Sequence, residues 1–268
     1  MKNRITQTLL VIIFLAGLTL QGFSQETIKK ILDRGELRVG MTGNQPPFTM
    51  KANDGSMIGY EVDLAIMLAE SMGVELNIVE TPFPELLNDL EAGKVDLVMS
   101  GLTMTIKRNM RVAFAGPYLL SGKSVLTKSA AYSSAEDSED INDETLKIVA
   151  LKGSTSEAYV KNDVPEAKLV LADSYKEALE KLENGEVEIL VADYPFCAYT
   201  VLVHPEKNLI TLDNPLTIEP IGMALPPNDA HLYNIVQNYM NALSMVGALD
   251  LLEIKWFESG DWVPLVEK

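Results

Sequence analysis

The sequence predicts an α/β protein of two lobes, each an open, mostly parallel sheet flanked by helices, with two hinge strands joining them. Three observations carry this. Short apolar runs such as residues 95–99 alternate with stretches of helical rhythm, which is the grammar of a parallel sheet. That grammar occurs twice, and LEAGKVDLVM (residues 90–99) matches LENGEVEILV (residues 182–191) in glycine, valine, acid and apolar run. Extended residues at 119–124 and 216–219 follow turns and read as two crossings between the halves.

Residues 1–24 are set aside first. Lys2 and Arg4 precede an apolar run over 9–20, followed by Gly22 and Ser24, the pattern of a secretory signal peptide cut after Ser24. A helix over 28–34 then stops at Gly35, and ELRVGM (36–41) reads as a strand. The loop TGNQPPF follows, where two prolines forbid regular structure. Val62, Leu64, Ala65, Met67 and Leu68 give 60–71 a helical rhythm, and Gly73 ends it before a strand over 74–80. Residues 83–91 are helical through Leu86, Leu87 and Leu90, with Gly93 as the stop before the strand 95–99.

The second half repeats this order: a strand at 146–151, a helix after Gly153, a strand at 168–172, a helix at 175–182 and a strand at 187–191. The Ser, Asp and Glu-rich stretch 130–144 reads as a solvated loop of that lobe. From Ile221 comes one more strand, then a turn at Pro226, Pro227 and Asn228, a helix over 232–243 capped by Asp229, and a last helix containing Trp256. This tail needs an apolar partner and is expected to return to the earlier lobe. The expected division is therefore 25–120 and 218–268 for one lobe and 121–217 for the other.

Composition excludes several classes. The whole chain carries 22 Lys+Arg against 38 Asp+Glu, a net charge of -16; loss of Lys2 and Arg4 with the signal leaves 20 cations and -18. Such a chain repels nucleic acid and anionic membranes. Cys197, the single cysteine, excludes an internal disulfide and a lipoprotein cleavage site, and its apolar setting DYPFCAY reads as an inert core thiol. With two histidines, His204 and His231, no ordinary zinc set exists, and no metal or cofactor is expected.

In open α/β sheets ligands bind beyond the carboxyl ends of strands, which directs attention to four polar segments. After residue 99 come Ser100, Thr103, Thr105 and Arg108, able to converge hydroxyls and a fork-shaped cation on a carboxylate; a surface cation is the alternative reading of Arg108. After residue 151 come Gly153, Ser154 and Thr155, with Ser154 and Glu157 at capping-box spacing. The N–H groups of Ser154 and Thr155 could take an anion, or the segment is simply a good cap. Asp193 ends an apolar strand, so it must meet a cation, either a ligand ammonium or a lysine. Phe83, directly after Pro82, either faces a ligand or packs in the core.

These residues resemble the bacterial extracellular solute-binding proteins of family 3, the polar amino-acid-binding components of import systems. The resemblance runs through LRVGMTGNQPPF, DGSMIGYEVDLA, LEAGKVDLVMSGLTMTIKRNMRVAFAGPY, LKGSTSEAY and EPIGMALP to KWF. It implies a periplasmic-binding-protein fold, a small amino-acid ligand closed between the lobes, a transient ABC permease partner in the inner membrane, a periplasmic monomer and no enzymatic activity. In residue terms it implies that Arg108 binds the ligand carboxylate with Thr103 and Gly101, that Ser154 and Thr155 contribute the later lobe's helix start, that Asp193 meets the ammonium and that Phe83 stacks on the side chain. Gln45 stands where many relatives have an aromatic, and Thr42 where some have an acid. That departure favours a neutral polar or acidic amino acid over lysine or arginine. The same resemblance extends to periplasmic cyclohexadienyl dehydratases acting on prephenate or arogenate, and a ligand-sensing subunit for a membrane receptor is a further alternative.

Overall fold

The computed structural model describes residues 26–266, so the signal-peptide expectation lies outside the described residues. In chain order the elements are α1 (Glu26–Arg34), β1 (Glu36–Met41), β2 (Asn44–Gln45), β3 (Thr49–Lys51), β4 (Met57–Ile58), α2 (Tyr60–Met72) and β5 (Glu75–Glu80). They continue with α3 (Leu86–Glu91), β6 (Leu97–Val98), α4 (Ile106–Asn109), β7 (Ala113–Ser121), β8 (Lys123–Thr127) and β9 (Lys147–Leu151). Then come α5 (Thr155–Asp163), β10 (Lys168–Ala172), α6 (Tyr175–Glu183), β11 (Ile189–Asp193), α7 (Tyr194–Val203), β12 (Ile210–Thr211), β13 (Glu219–Leu225), α8 (Ala230–Met245) and α9 (Ala248–Glu253). Among the described residues no helix is long and apolar enough to cross a membrane.

Two five-stranded sheets form the two lobes, in the orders β5-β1-β6-β13-β7 and β10-β9-β11-β8-β12. In each sheet four strands run one way and a single strand, β13 in the first and β8 in the second, runs against them, so the sheets are mixed but mostly parallel, as expected. The reason is the crossings: a chain that leaves one sheet and returns must run against the strands it left. It passes from the first sheet to the second at Gly122, between β7 and β8, and returns between β12 and β13. At that point the two crossings touch. A Cβ on Gly122 would collide with the Thr217 carbonyl, and Lys123 N–H donates to Thr217 Oγ1 at 2.9 Å.

Local chemistry sets the boundaries. Gly73 closes α2 in the left-handed conformation, φ 69°. Residues 83–91 begin as a 3₁₀ turn, Phe83–Glu85, with Pro84 in the first turn where its missing N–H has no helical partner to lose, and become α-helical from Leu86. The expected strand 95–99 is only two residues long by pairing, and the expected irregular loop 42–48 contains β2, paired antiparallel to β3 in a small three-stranded sheet. The prolines there follow the pairing residues instead of interrupting them. Asp229 caps α8 by accepting from Leu232 N–H at 2.9 Å, and its other oxygen accepts from Thr27 N–H at 3.0 Å, tying the tail to the first helix.

The tail returns to the first lobe as expected. Trp256 and Trp262 are buried in the same apolar cluster as Leu37, Leu64 and Leu97, and Trp256 Nε1–H donates to Asp63 Oδ2 at 2.7 Å. A second cluster joins Phe83, Leu86 and Leu90 of the first lobe to Leu151, Tyr175 and Phe196 of the second, so the lobes meet through apolar contact as well as across the site. Within the 130–144 loop, Ile141 is fully buried, an anchor that the charged composition around it conceals.

Candidate functional site

The site lies where β6, β9 and β11 end and the two crossings pass. Its first wall is the loop 100–105 with α4. Thr105 caps α4 by accepting from Arg108 N–H at 3.2 Å, which turns the guanidinium back over the loop. There Arg108 donates to the Thr103 carbonyl at 2.9 Å and, across the cleft, to the Gly153 carbonyl at 3.3 Å. Its guanidinium carbon sits 5.7 Å from the Phe83 ring centroid, a cation–π contact that orients the fork. Loss of hydration pulls the Arg108 pKa down, while the charges of Asp193 and Glu219 push it back up. Phe83 is buried in the core, as its second reading had it, while its ring also meets Arg108.

The second wall is the start of α5. Ser154 caps it by accepting from Glu157 N–H at 3.1 Å, and Glu157 returns a carboxylate to Gly153 N–H at 2.6 Å, a complete capping box. Ser154 N–H donates to the Leu151 carbonyl at 3.2 Å and its hydroxyl to the same carbonyl at 2.6 Å. The Ser154 N–H expected to be open to an anion is therefore engaged within its own turn. Thr155 is the residue of this segment whose hydroxyl faces the other lobe, 3.2 Å from Thr103 Oγ1.

Between the walls sit two charged residues that the sequence reading passed over. Lys123, 1 % exposed, donates to Asp193 Oδ1 at 2.5 Å and to Glu219 Oε2 at 2.9 Å. The same Glu219 oxygen accepts from Thr103 at 2.8 Å and from Thr155 at 2.9 Å. Lys123 and Asp193 are direct cross-strand partners in the antiparallel β8 and β11 pair, so sheet register itself sets this contact. Of the two cations considered for Asp193, the lysine is the partner in this structure. Burial raises the Glu219 pKa, but the Lys123 charge and the three hydrogen bonds outweigh it and hold the carboxyl below the ordinary glutamate range. Tyr175, buried beside Asp193 and Glu219, has its phenol pushed far up by burial and by those charges.

Thr42 and Gln45 stand one layer behind. Ser100 Oγ accepts from Thr42 N–H at 3.1 Å and donates to Thr42 Oγ1 at 3.0 Å, with Gln45 Oε1 at 3.4 Å. Their hydrogen bonds thus run to Ser100 and Thr49 and not to the Lys123 cluster. Gly101 is required here: its φ is +57°, and a Cβ would strike the Gln45 amide. Gly101 N–H donates to Glu61 Oε1 at 2.7 Å, and Tyr118 O–H donates to the same oxygen. Burial raises the Glu61 pKa to about 7 against those two hydrogen bonds, with the Asp193 charge adding to the rise. Gln45 Nε2 and Glu61 Oε2 are buried without a hydrogen-bond partner.

A cavity of about 380 Å³ opens beside Arg108, lined by Phe83, Leu102, Gly153, Thr155 and Ala158 among others. Among the described residues no group of three or more His, Cys, Asp and Glu could hold a metal ion. Cys197 is fully buried and its thiol is pushed up to about 12, the state of an unreactive core residue.

The missed residues had little local signal. Lys123 opens the fully buried strand KSVLT and Glu219 precedes Pro220, but they meet Thr103, Thr155 and Asp193 only through the crossings, far apart in sequence. A lysine at the head of a buried strand was the one available clue.

Two mixed α/β lobes meeting over a polar cleft, joined by two strands, define a clamp-type solute-binding protein. The sequence profile of the bacterial extracellular solute-binding proteins, family 3, matches residues 37–259, and the chain belongs to this family. It is 25% identical over 256 residues to a cyclohexadienyl dehydratase of Pseudomonas aeruginosa, covering 96% of this chain and 95% of the relative. It is 24% identical over 249 residues to the L-cystine-binding protein TcyJ of Escherichia coli (strain K12), covering 92% of each. The structure of a putative ABC-transporter binding component from Wolinella succinogenes, complexed with lysine, superposes with a TM-score of 0.81 at 33% identity, covering 86% of this chain and 99% of that one.

Proposed function

We propose that the protein captures an α-amino acid between its lobes in the periplasm and delivers it to an ABC-type permease. The observation that carries this is the convergence of Arg108 and Thr103 from one lobe on Gly153 and Thr155 of the other, with Asp193 at the same cleft. A solute carboxylate would take the Arg108 fork and the two threonine hydroxyls, charge-assisted bonds that are the strongest the site can make. Its ammonium would approach Asp193. Groups from both lobes are then satisfied together only when the cleft is shut, so solute favours closure through differential contacts. The signal-like residues 1–24, the lobe limits at 120/121 and 217/218 and a monomeric state belong to the same reading.

For the side chain we infer a neutral polar or acidic group. Gln45 and Thr42 bring neither an aromatic ring nor an acid to that end of the cleft, which leaves a cationic side chain without a partner there. The lysine complex of the Wolinella succinogenes protein speaks for the opposite choice in that protein. A thermal-shift screen of the amino acids, followed by calorimetry, tests both levels, because a bound solute stabilises in proportion to its saturation. Glutamine or glutamate is expected to bind more tightly than arginine. Arginine binding far tighter than both would end the side-chain inference, and no shift with any amino acid would end the reading as a whole.

The dehydratase reading has one physical point against it. Loss of a hydroxyl needs a protonated acid over the leaving group. Glu219 is held as a carboxylate by Lys123 and two hydroxyls, and Asp193 is ion-paired to the same lysine. Incubation with prephenate is expected to give no phenylpyruvate absorbance.

A further inference from the structure

Glu219 and Lys123 are placed in a way that neither a hinge nor a salt bridge alone requires. The Glu219 carboxylate accepts from Thr103 and Thr155, one hydroxyl from each lobe, at 2.8 and 2.9 Å. The Lys123 ammonium donates to Asp193 at 2.5 Å. Those are the groups to which the reading above assigns a solute's carboxylate and its ammonium. The two side chains are themselves bonded at 2.9 Å, so together they present a carboxylate and an ammonium to the cleft from within the chain.

Both stand on the crossings. Lys123 follows Gly122 at the head of β8, and Glu219 opens β13 two residues after Thr217. The backbones are joined there, with Leu216 N–H donating to the Lys123 carbonyl at 2.7 Å and Lys123 N–H donating to Thr217 Oγ1 at 2.9 Å. The crossings therefore carry the pair to the cleft and hold it in register.

The geometry points to Glu219 and Lys123 as a tethered stand-in for the solute: they compete with it for Thr103, Thr155 and Asp193, and so set both its affinity and the cost of opening the cleft. This rests on the amino-acid-binding reading. A solute that binds takes the two hydroxyls from Glu219 and the Asp193 carboxylate from Lys123, and the displaced pair keeps its own ion pair. The contacts it gains are offset by those it breaks, which selects for solutes presenting a carboxylate and an ammonium at once.

The test is calorimetry of the wild type, Glu219→Gln and Lys123→Met with the amino acid that gives the largest thermal shift in any of the three. Small-angle scattering on each protein without added solute serves as the second measurement. Glu219→Gln is nearly isosteric and removes the competing charge, so it is expected to bind about tenfold more tightly and to show a larger radius of gyration. Lys123→Met is expected to act in the same direction for an amino acid and to weaken binding of the analogue lacking the α-amine, since Asp193 and Glu219 then face that analogue unpaired. Wild type without measurable binding beside a variant that binds would support the competition most strongly. Variants that bind as tightly as the wild type or more weakly, with an unchanged radius, overturn the stand-in while leaving the amino-acid reading intact. Three proteins that bind no amino acid overturn both.

Discussion

Residues 90–99 and 182–191 perform the same local task in the two lobes and then part company. Gly93 and Gly185 sit at φ 69° and 71°, each N–H donating three residues back, to Leu90 at 3.0 Å and to Leu182 at 3.2 Å. The next residues, Lys94 and Glu186, each donate five residues back at 3.0 Å. Beyond the strands, however, the first lobe continues with hydroxyls and Arg108, and the second with Asp193 at the head of α7. One supersecondary unit has been given two exits of opposite charge. The difference teaches that the fold supplies the cleft, while the few residues after each strand decide the sign of the charge that lobe brings to it.

The largest way to break that contrast is Arg108→Ala. It removes the first lobe's cleft cation with its hydrogen bonds to the Thr103 carbonyl and, across the cleft, to the Gly153 carbonyl, and is expected to weaken amino-acid binding by about 4 kcal/mol, roughly a thousandfold, by calorimetry. The two lobes also differ in how they treat a buried acid, since Asp193 has Lys123 and Glu61 has only Tyr118 and Gly101. The Glu61 pKa of about 7 lies above the ordinary glutamate value of 4.5, so the folded state binds that proton more tightly than the unfolded chain. Its contribution to stability is full below pH 4.5 and is lost as pH rises through 7. Denaturant melts should therefore show Glu61→Gln gaining on the wild type by about 3 kcal/mol across this window, and keeping that gain unchanged above it.

Asp193→Asn is smaller, because Lys123 keeps Glu219. Amino-acid affinity should fall about tenfold, and discrimination against the analogue without the α-amine should narrow. Smallest is the pair Gly93→Ala and Gly185→Ala. Each places a Cβ at positive φ with no atom within 4 Å, so chemical denaturation should report about 1 kcal/mol for either and equal values for both. Unequal values would weaken the case that the two units do one job.

Much of this fold was legible because its signals are local. Periodicity placed β1 and β10 to the residue, and the glycine stops at 35, 73, 93 and 185 fall where left-handed caps occur. The capping box at Ser154 and Glu157 was likewise readable from spacing. The one reversed strand of each sheet, β13 or β8, was not, because strand direction depends on where the crossings re-enter, and no periodicity encodes that. The site divided the same way. Arg108, Thr103 and Thr155 were found from the strand exits, and Asp193 was known to need a cation. Its partner Lys123 is 70 residues away in sequence, and Glu219 is 116 from Thr103, separations at which only sheet register brings side chains together.

The most direct test of the clamp is a calorimetric titration of the best amino acid from the thermal-shift screen against two analogues, one lacking the α-carboxylate and one lacking the α-amine. If Arg108 and Thr103 hold the carboxylate while Asp193 holds the ammonium, removing the carboxylate abolishes measurable binding and removing the amine weakens it by at least about tenfold. Full affinity for the analogue without a carboxylate would contradict the account.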